Sequence, residues 1–303
     1  MTQGIFIGLS TIDVVYGVDV FPKTNAKVAA HSQDVFVGGP ATNAAITFAH
    51  LGGQASLVTA VGRHPLGRMV RDELQKHSIQ LVDLSPGCDE IPSIASVCID
   101  RKGNRNVVSA GALRLNSSDV HAEFNAALGK GCRIVLVDGH YMPACQAWSK
   151  GARGRNIPVV LDGGSWKEGT AELLKNVHTA ICSADFRPPG SSSKDAVMRL
   201  LKDSGVVNVA ITDGAQPIHF ASGASSGTLS VPEVQVVDTM GAGDVFHGAY
   251  CYFAAIGHGF VEALAEAAEI AAESCRYNGT RAWASARLAP ELAARAGSML
   301  ASA

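Results

Sequence analysis

The seven cysteines of this 303-residue chain are scattered and form no CxxC pair, so neither a zinc site nor a disulfide framework is indicated. No uninterrupted apolar run approaches the roughly 18–20 residues that span a bilayer, and no membrane partner is expected. Charged residues are few, 17% of the chain, and nearly cancel, with 25 Lys and Arg against 27 Asp and Glu. That balance leaves no basic field for nucleic acid or anionic lipid. The first expected strand, 4–8, runs into Leu9-Ser10-Thr11-Ile12-Asp13. It lacks the GxGxxG turn that holds a dinucleotide pyrophosphate, which argues against a Rossmann dehydrogenase. No charged-then-apolar signal precedes that strand, so reduced thiols in a cytoplasm are expected. No internal repeat or low-complexity segment is present. What is present is a 47% apolar composition, which suits a compact α/β protein of one large domain or two smaller ones.

The most informative stretch is Val236-Val237-Asp238-Thr239-Met240-Gly241-Ala242-Gly243-Asp244-Val245-Phe246-His247-Gly248-Ala249. A β-branched run, two closely spaced glycines and apolar residues at helical spacing predict strand, tight turn and helix. The first N–H groups of a helix lack internal partners and carry partial positive charge, so such a turn suits a transferring phosphoryl group. Asp244 stands just inside it, placed to accept a proton from a hydroxyl. A bare Gly-x-Gly is more often only a turn, and Asp244 alone only a cap.

Elsewhere, short strands at 14–20, 27–37, 94–100 and 106–109 break the βαβ rhythm and suggest a small projecting sheet. Gly38-Gly39 opens a helix over 40–51 with Pro40 at its first position and Asn43 in its first turn. A helix is also expected from Gly62 to about residue 77. From residue 134 the rhythm is regular, with strands at 134–137, 158–161, 179–182 and 206–211. Polar residues follow their carboxyl ends: His140, Asp162, Ser183 with Asp185, and Thr212 with Gly214. That edge is where open α/β sheets place ligands. A hairpin at 218–220 and 228–231 and helices at 260–276 and 290–299 complete the chain.

Asp238-Thr239-Met240-Gly241-Ala242-Gly243-Asp244 resembles the C-terminal signature of the ribokinase/PfkB sugar kinase family. Val37-Gly38-Gly39-Pro40-Ala41-Thr42-Asn43-Ala44-Ala45 resembles its N-terminal one. The order and separation match, so the resemblance covers essentially the whole chain. It implies a ribokinase-like three-layer α/β/α sandwich with a parallel-dominated central sheet. The chain would be a single domain over 1–303, with a small β-sheet lid from 11–36 and 93–111. It implies ATP-dependent phosphorylation of a hydroxyl of a small carbohydrate. Asp244 would be general base, with Gly241, Ala242 and Gly243 as anion hole. Asp13, Gly39, Asn43, Arg105 and His140 would bind the substrate, with Asn116 in the returning loop. Ser183, Asp185, Thr212, Gly214 and Asn278 would bind the nucleotide. Mg²⁺ would be held mainly through phosphates and water, and K⁺ near Asp238. The Asp-Val-Phe-His-Gly-Ala run and the lid are more similar to ketohexokinase-like or sulfofructose-kinase-like members, which points to a ketose, sugar acid or sulfosugar. A nucleoside kinase on the same scaffold and a non-catalytic sugar- or nucleotide-binding protein are the alternatives. Relatives commonly pair as homodimers through the lid.

Overall fold

A computed structural model describes residues 1–113 and 130–285; Asn116 and the helix expected at 290–299 lie outside them. Nine strands form the central sheet. They are β1 (Gln3–Ile7), β4 (Gln54–Thr59), β5 (Gln80–Asp83), β8 (Cys132–Val137), β9 (Val159–Gly163), β10 (Thr179–Ser183), β11 (Asn208–Asp213), β12 (Gln216–Ser222) and β13 (Ser225–Leu229), in the order β13-β12-β11-β10-β9-β8-β1-β4-β5. All neighbours from β11 to β5 are parallel. The β12–β13 hairpin adds two antiparallel strands at one edge.

Period-two alternation divides the apolar side chains of these strands between two cores. Phe6, Leu57, Leu136, Val160, Ile181 and Ala210 face one layer of helices. It comprises α1 (Pro40–His50), α2 (Gly67–Lys76), α6 (Ala242–Ala255) and α7 (Phe260–Ser274). Ile5, Ile7, Val135, Val137, Leu161 and Ile211 face the other. Its helices are α3 (Met142–Arg153), α4 (Thr170–Leu174) and α5 (Lys194–Asp203). A short turn of helix, α8 (Ala282–Ser285), follows α7. The α/β fold expected from the sequence is therefore present. Among the described residues, no helix is long and apolar enough to cross a membrane.

A second sheet holds β2 (Thr11–Val18), β3 (Ala30–Gly38), β6 (Ile94–Ile99) and β7 (Arg105–Ser109) in the order β3-β2-β6-β7. Asp13 therefore lies within a strand, paired with Phe36 across the sheet, and not in the turn after β1.

Two other elements depart from expectation. Val236 and Val237 do not form a strand: both are exposed, and the N–H groups of Val237 and Asp238 donate to the Cys275 carbonyl at 2.8 and 3.1 Å. A β-branched run needs a neighbouring strand, and here a helix end stands in its place. The helix expected from Gly62 begins at Gly67. The Asp83 carboxylate binds the N–H groups of Val61 and Gly62 and holds that segment in a loop.

Candidate active site

Gly241, at φ 71°, turns the chain into α6. Ala242 and Gly243 begin the helix, and Asp244 stands in its first turn. Gly243 has open space where a side chain would begin. Together with Ala242 it lines a cavity of about 720 Å³ shared with Ser183, Asp185, Thr212 and Gly214. The Ala242 N–H donates to the Thr239 carbonyl at 3.3 Å, which leaves the next N–H groups of the helix start for a ligand in a cavity that the apolar Ile218, Val231 and Ala271 also line. That combination suits a nucleotide, phosphates toward the helix and base toward the apolar wall.

Asp244 accepts a hydrogen bond from Asn43 Nδ2 at 2.6 Å. Asn43 is buried in the first turn of α1, which Gly39 admits by adopting φ 98° where a Cβ would lie 2.2 Å from the Leu9 carbonyl oxygen. Burial, and then the charge of Asp162, push the Asp244 carboxyl up to about 7, against the Asn43 hydrogen bond and His247. The helix dipole favours the ionised form, but here burial and the neighbouring carboxylate outweigh it. A base whose pKa lies near neutrality is well matched to proton abstraction.

Asp13 accepts from the Thr11 hydroxyl at 2.7 Å, and burial raises its pKa against that bond and the Arg281 charge. Asp138, buried at the end of β8, joins three loops. Its Oδ2 accepts from Leu9 N at 2.8 Å and Ala41 N at 3.3 Å, and its Oδ1 from His140 N at 2.8 Å. His140 thus stands at the carboxyl edge beside the start of α1, and burial lowers its pKa.

Other expected site residues are spread more widely. Ser183 Oγ accepts from Asp185 N at 3.2 Å and donates to the Gly164 carbonyl at 3.1 Å. Asp213, next to Thr212, is paired with Lys194 at 2.7 Å. Arg105, expected beside the substrate, lines the larger cavity with the nucleotide-side residues. Asn278 lies on a second cavity of about 450 Å³, against the small sheet, with Phe36, Asp34 and Asp238. Asp238 ties two loops together, accepting from Met240 N and Gly279 N, both at 2.9 Å.

Several residues escaped the sequence reading. His247, one turn after Asp244, is buried with Nδ1 2.7 Å from the Gly243 carbonyl and Nε2 3.1 Å from that of Ile181. Its Nδ1 is also 3.6 Å from Asp162 Oδ2. Lys167 Nζ, half-buried, donates to the carbonyls of Asp138 at 3.2 Å and Ser165 at 3.4 Å. Arg281 reaches Asn43 from the loop after α7. Only the position of His247 inside the glycine motif could have singled it out.

The family model of pfkB family carbohydrate kinases matches residues 1–287. The ribokinase of Haemophilus influenzae is 21% identical over 268 residues, 86% of this chain and 84% of its own length. That of Mus musculus is 25% identical over 294 residues, 91% and 90%. The ribokinase structure from Thermotoga maritima superposes with a TM-score of 0.78 at 22% identity, covering 98% of this chain and 99% of its own. The Arabidopsis thaliana ribokinase complexed with ribose and ATP gives 0.74 at 19%, covering 97% and 98%. These relatives are ribokinases, where the resemblance in the motifs had pointed to ketohexokinase-like or sulfofructose-kinase-like members. The chain belongs to the pfkB family of carbohydrate kinases and is an ATP-dependent enzyme of that class.

Proposed function

We propose that this kinase phosphorylates a hydroxyl of a small ketose, sugar acid or sulfosugar, with a preference for an acceptor bearing an anionic group. The observation that carries the reading is Asp244, a carboxyl with a pKa near 7 at a helix start that opens into the larger cavity. Asp244 takes the hydroxyl proton as the oxygen attacks phosphorus. The N–H groups of Gly243 and Asp244 bind the phosphoryl oxygens, whose charge they stabilise in place, while that of Ala242 is held by the Thr239 carbonyl. Asn43 orients the base, and Asp13 and Gly39 are assigned to the sugar. Lys167 and His140 lie at the same sheet edge, and among the described residues the Lys167 ammonium donates to the backbone carbonyls of Asp138 and Ser165. That cation suits a carboxylate or sulfonate substituent.

Mg²⁺ is assigned to ATP phosphates and water in the cavity that Gly243 and Asp185 line. When bound it would neutralise phosphate charge; Asp185, on the cavity wall, would orient its water. K⁺ is assigned to the Asp238 loops, whose carboxylate oxygens keep lone pairs beyond the one N–H each accepts.

The test is ADP release across uncharged ketoses, ribose, sugar acids, sulfosugars and nucleosides, in K⁺ and in tetramethylammonium. The expected result is a kcat/KM for an acidic or sulfonated sugar about tenfold or more above its uncharged analogue, with lower turnover when K⁺ is absent. Equal or better rates with ribose, the acceptor named for the relatives, would establish a ribokinase and remove the anionic preference. A nucleoside as best acceptor would move the reading to a nucleoside kinase. Silence throughout, with ATP still bound, would remove all of these acceptors and leave a kinase whose acceptor lies outside the panel.

We assign the small sheet as a lid that excludes water from the reacting phosphate. Val35 and Val108, exposed on one face of it, make it the surface through which two copies would pair. Sedimentation should give a dimer that Val108→Lys returns to monomer; a wild-type monomer at tens of micromolar would remove the pairing. All seven cysteines are free, which suits the reducing cytoplasm assigned to the protein.

A further inference from the structure

Arg281 is remote in sequence from nearly everything it touches. Its Nη1 donates to Asn43 Oδ1 at 2.8 Å and to the Thr280 carbonyl at 3.2 Å. Its Nη2 donates to the Val37 carbonyl at 2.6 Å, and its Nε to Glu73 Oε1 at 3.0 Å. The fork of guanidinium donors is thus engaged by α1, α2, β3 and its own loop at once, a geometry that a lysine's single ammonium cannot reproduce. The side chain is only 18% exposed.

Two consequences reach the base. An asparagine amide can present either its oxygen or its nitrogen to a neighbour. Because Arg281 engages Asn43 Oδ1, the Nδ2 is the end left to face Asp244, at 2.6 Å. If the amide turned over, an oxygen would face the carboxylate and the contact would become repulsive. The second consequence is charge. Asp162 at the end of β9 and Asp138 at the end of β8 oppose ionisation of Asp244, while His247 on its own helix and the Asn43 amide favour it. Arg281 also lies within electrostatic reach of both Asp244 and Asp13. Glu73, its direct partner, offsets part of its charge.

We propose that Arg281 is a positioning residue for phosphoryl transfer, which acts through Asn43 to fix the orientation and the charge of Asp244. The proposal rests on the reading of Asp244 as the base. A simple bolt between α2 and the edge of the small sheet would account for the bonds to Glu73 and Val37, but it would leave the titration of Asp244 untouched.

The experiment reads that titration directly, by ¹³C NMR of Asp side-chain carboxyls in the full chain, with Asp244→Asn identifying the resonance. Arg281→Met should raise the Asp244 midpoint by about one pH unit, since it removes a nearby cation and frees the amide. Arg281→Lys, which keeps the charge but not the fork, should give a smaller shift. The acid limb of kcat/KM on the best acceptor should move with the midpoint, kcat should fall about 10- to 100-fold, and added guanidinium should restore part of both. An unmoved midpoint in a folded Arg281→Met protein would overturn the proposal; should that variant not fold, Arg281→Lys with an unmoved midpoint would do the same. A shifted midpoint together with full turnover of Asp244→Asn would overturn the catalytic role and, separately, the base assignment.

Discussion

Replacing Asp244 with Asn should lower turnover about 10²–10⁴-fold, the usual worth of a positioned general base, while ATP affinity changes little. The substitution keeps the shape of the side chain and its contact with Asn43, and it leaves the N–H groups of the α6 start in place. It removes only the proton acceptor. In the wild type, kcat/KM should rise with pH through about 7, where the carboxyl of the free enzyme titrates, and that rise should be absent in Asp244→Asn. Stability should move the opposite way. A carboxyl whose pKa is raised in the folded state binds its proton more tightly there than in the unfolded chain. Its ionisation therefore costs stability progressively as pH rises from about 4 to 7. Asp244→Asn should melt above the wild type at pH 8, with the gap closing toward pH 4. Near-normal turnover in a folded Asp244→Asn protein would take the base role away from Asp244.

Gly248→Ala should destabilise the protein, against the ordinary effect of that exchange. In the interior of a helix, alanine is favoured over glycine by about 1 kcal/mol. Gly248, however, lies where α6 crosses α1, and a Cβ there would sit 2.3 Å from the Ala44 carbonyl oxygen and 2.9 Å from the Ala44 Cα. Both are backbone atoms that cannot rotate aside, so the helices must separate, and overpacking of this kind costs roughly 1–3 kcal/mol. The clash outweighs the propensity gain. The melting temperature should fall by several degrees, about 2–4 °C for each kcal/mol in a domain of somewhat smaller size. Because α1 carries Asn43 and α6 carries Asp244, the same separation lengthens their hydrogen bond and should lower kcat as well. A Gly248→Ala protein that melts at or above the wild-type temperature would show that the helices tolerate the methyl group.

Sequence pattern alone was enough for the alternation of strands and helices. Buried parallel strands read as β-branched apolar runs, and the helices between them as periodic ones, so both signals are local. The two glycine motifs were equally legible. Gly39 and Gly241 stand where the backbone takes positive φ, and Asp244 stands in the helix turn next to them. Contacts remote in sequence were decided only by the tertiary structure. Asn43 and Asp244 are separated by 201 positions, and Arg281 and Asn43 by 238; no periodicity or spacing encodes such a meeting. The same holds for Asp162 against His247, and for Arg105 and Asn278, whose cavities depend on how the small sheet lies over the large one. The missing strand at Val236-Val237 makes the converse point. Its β-branched residues carry the local preference, but a strand exists only through its partner, and the fold puts the Cys275 end of α7 there instead.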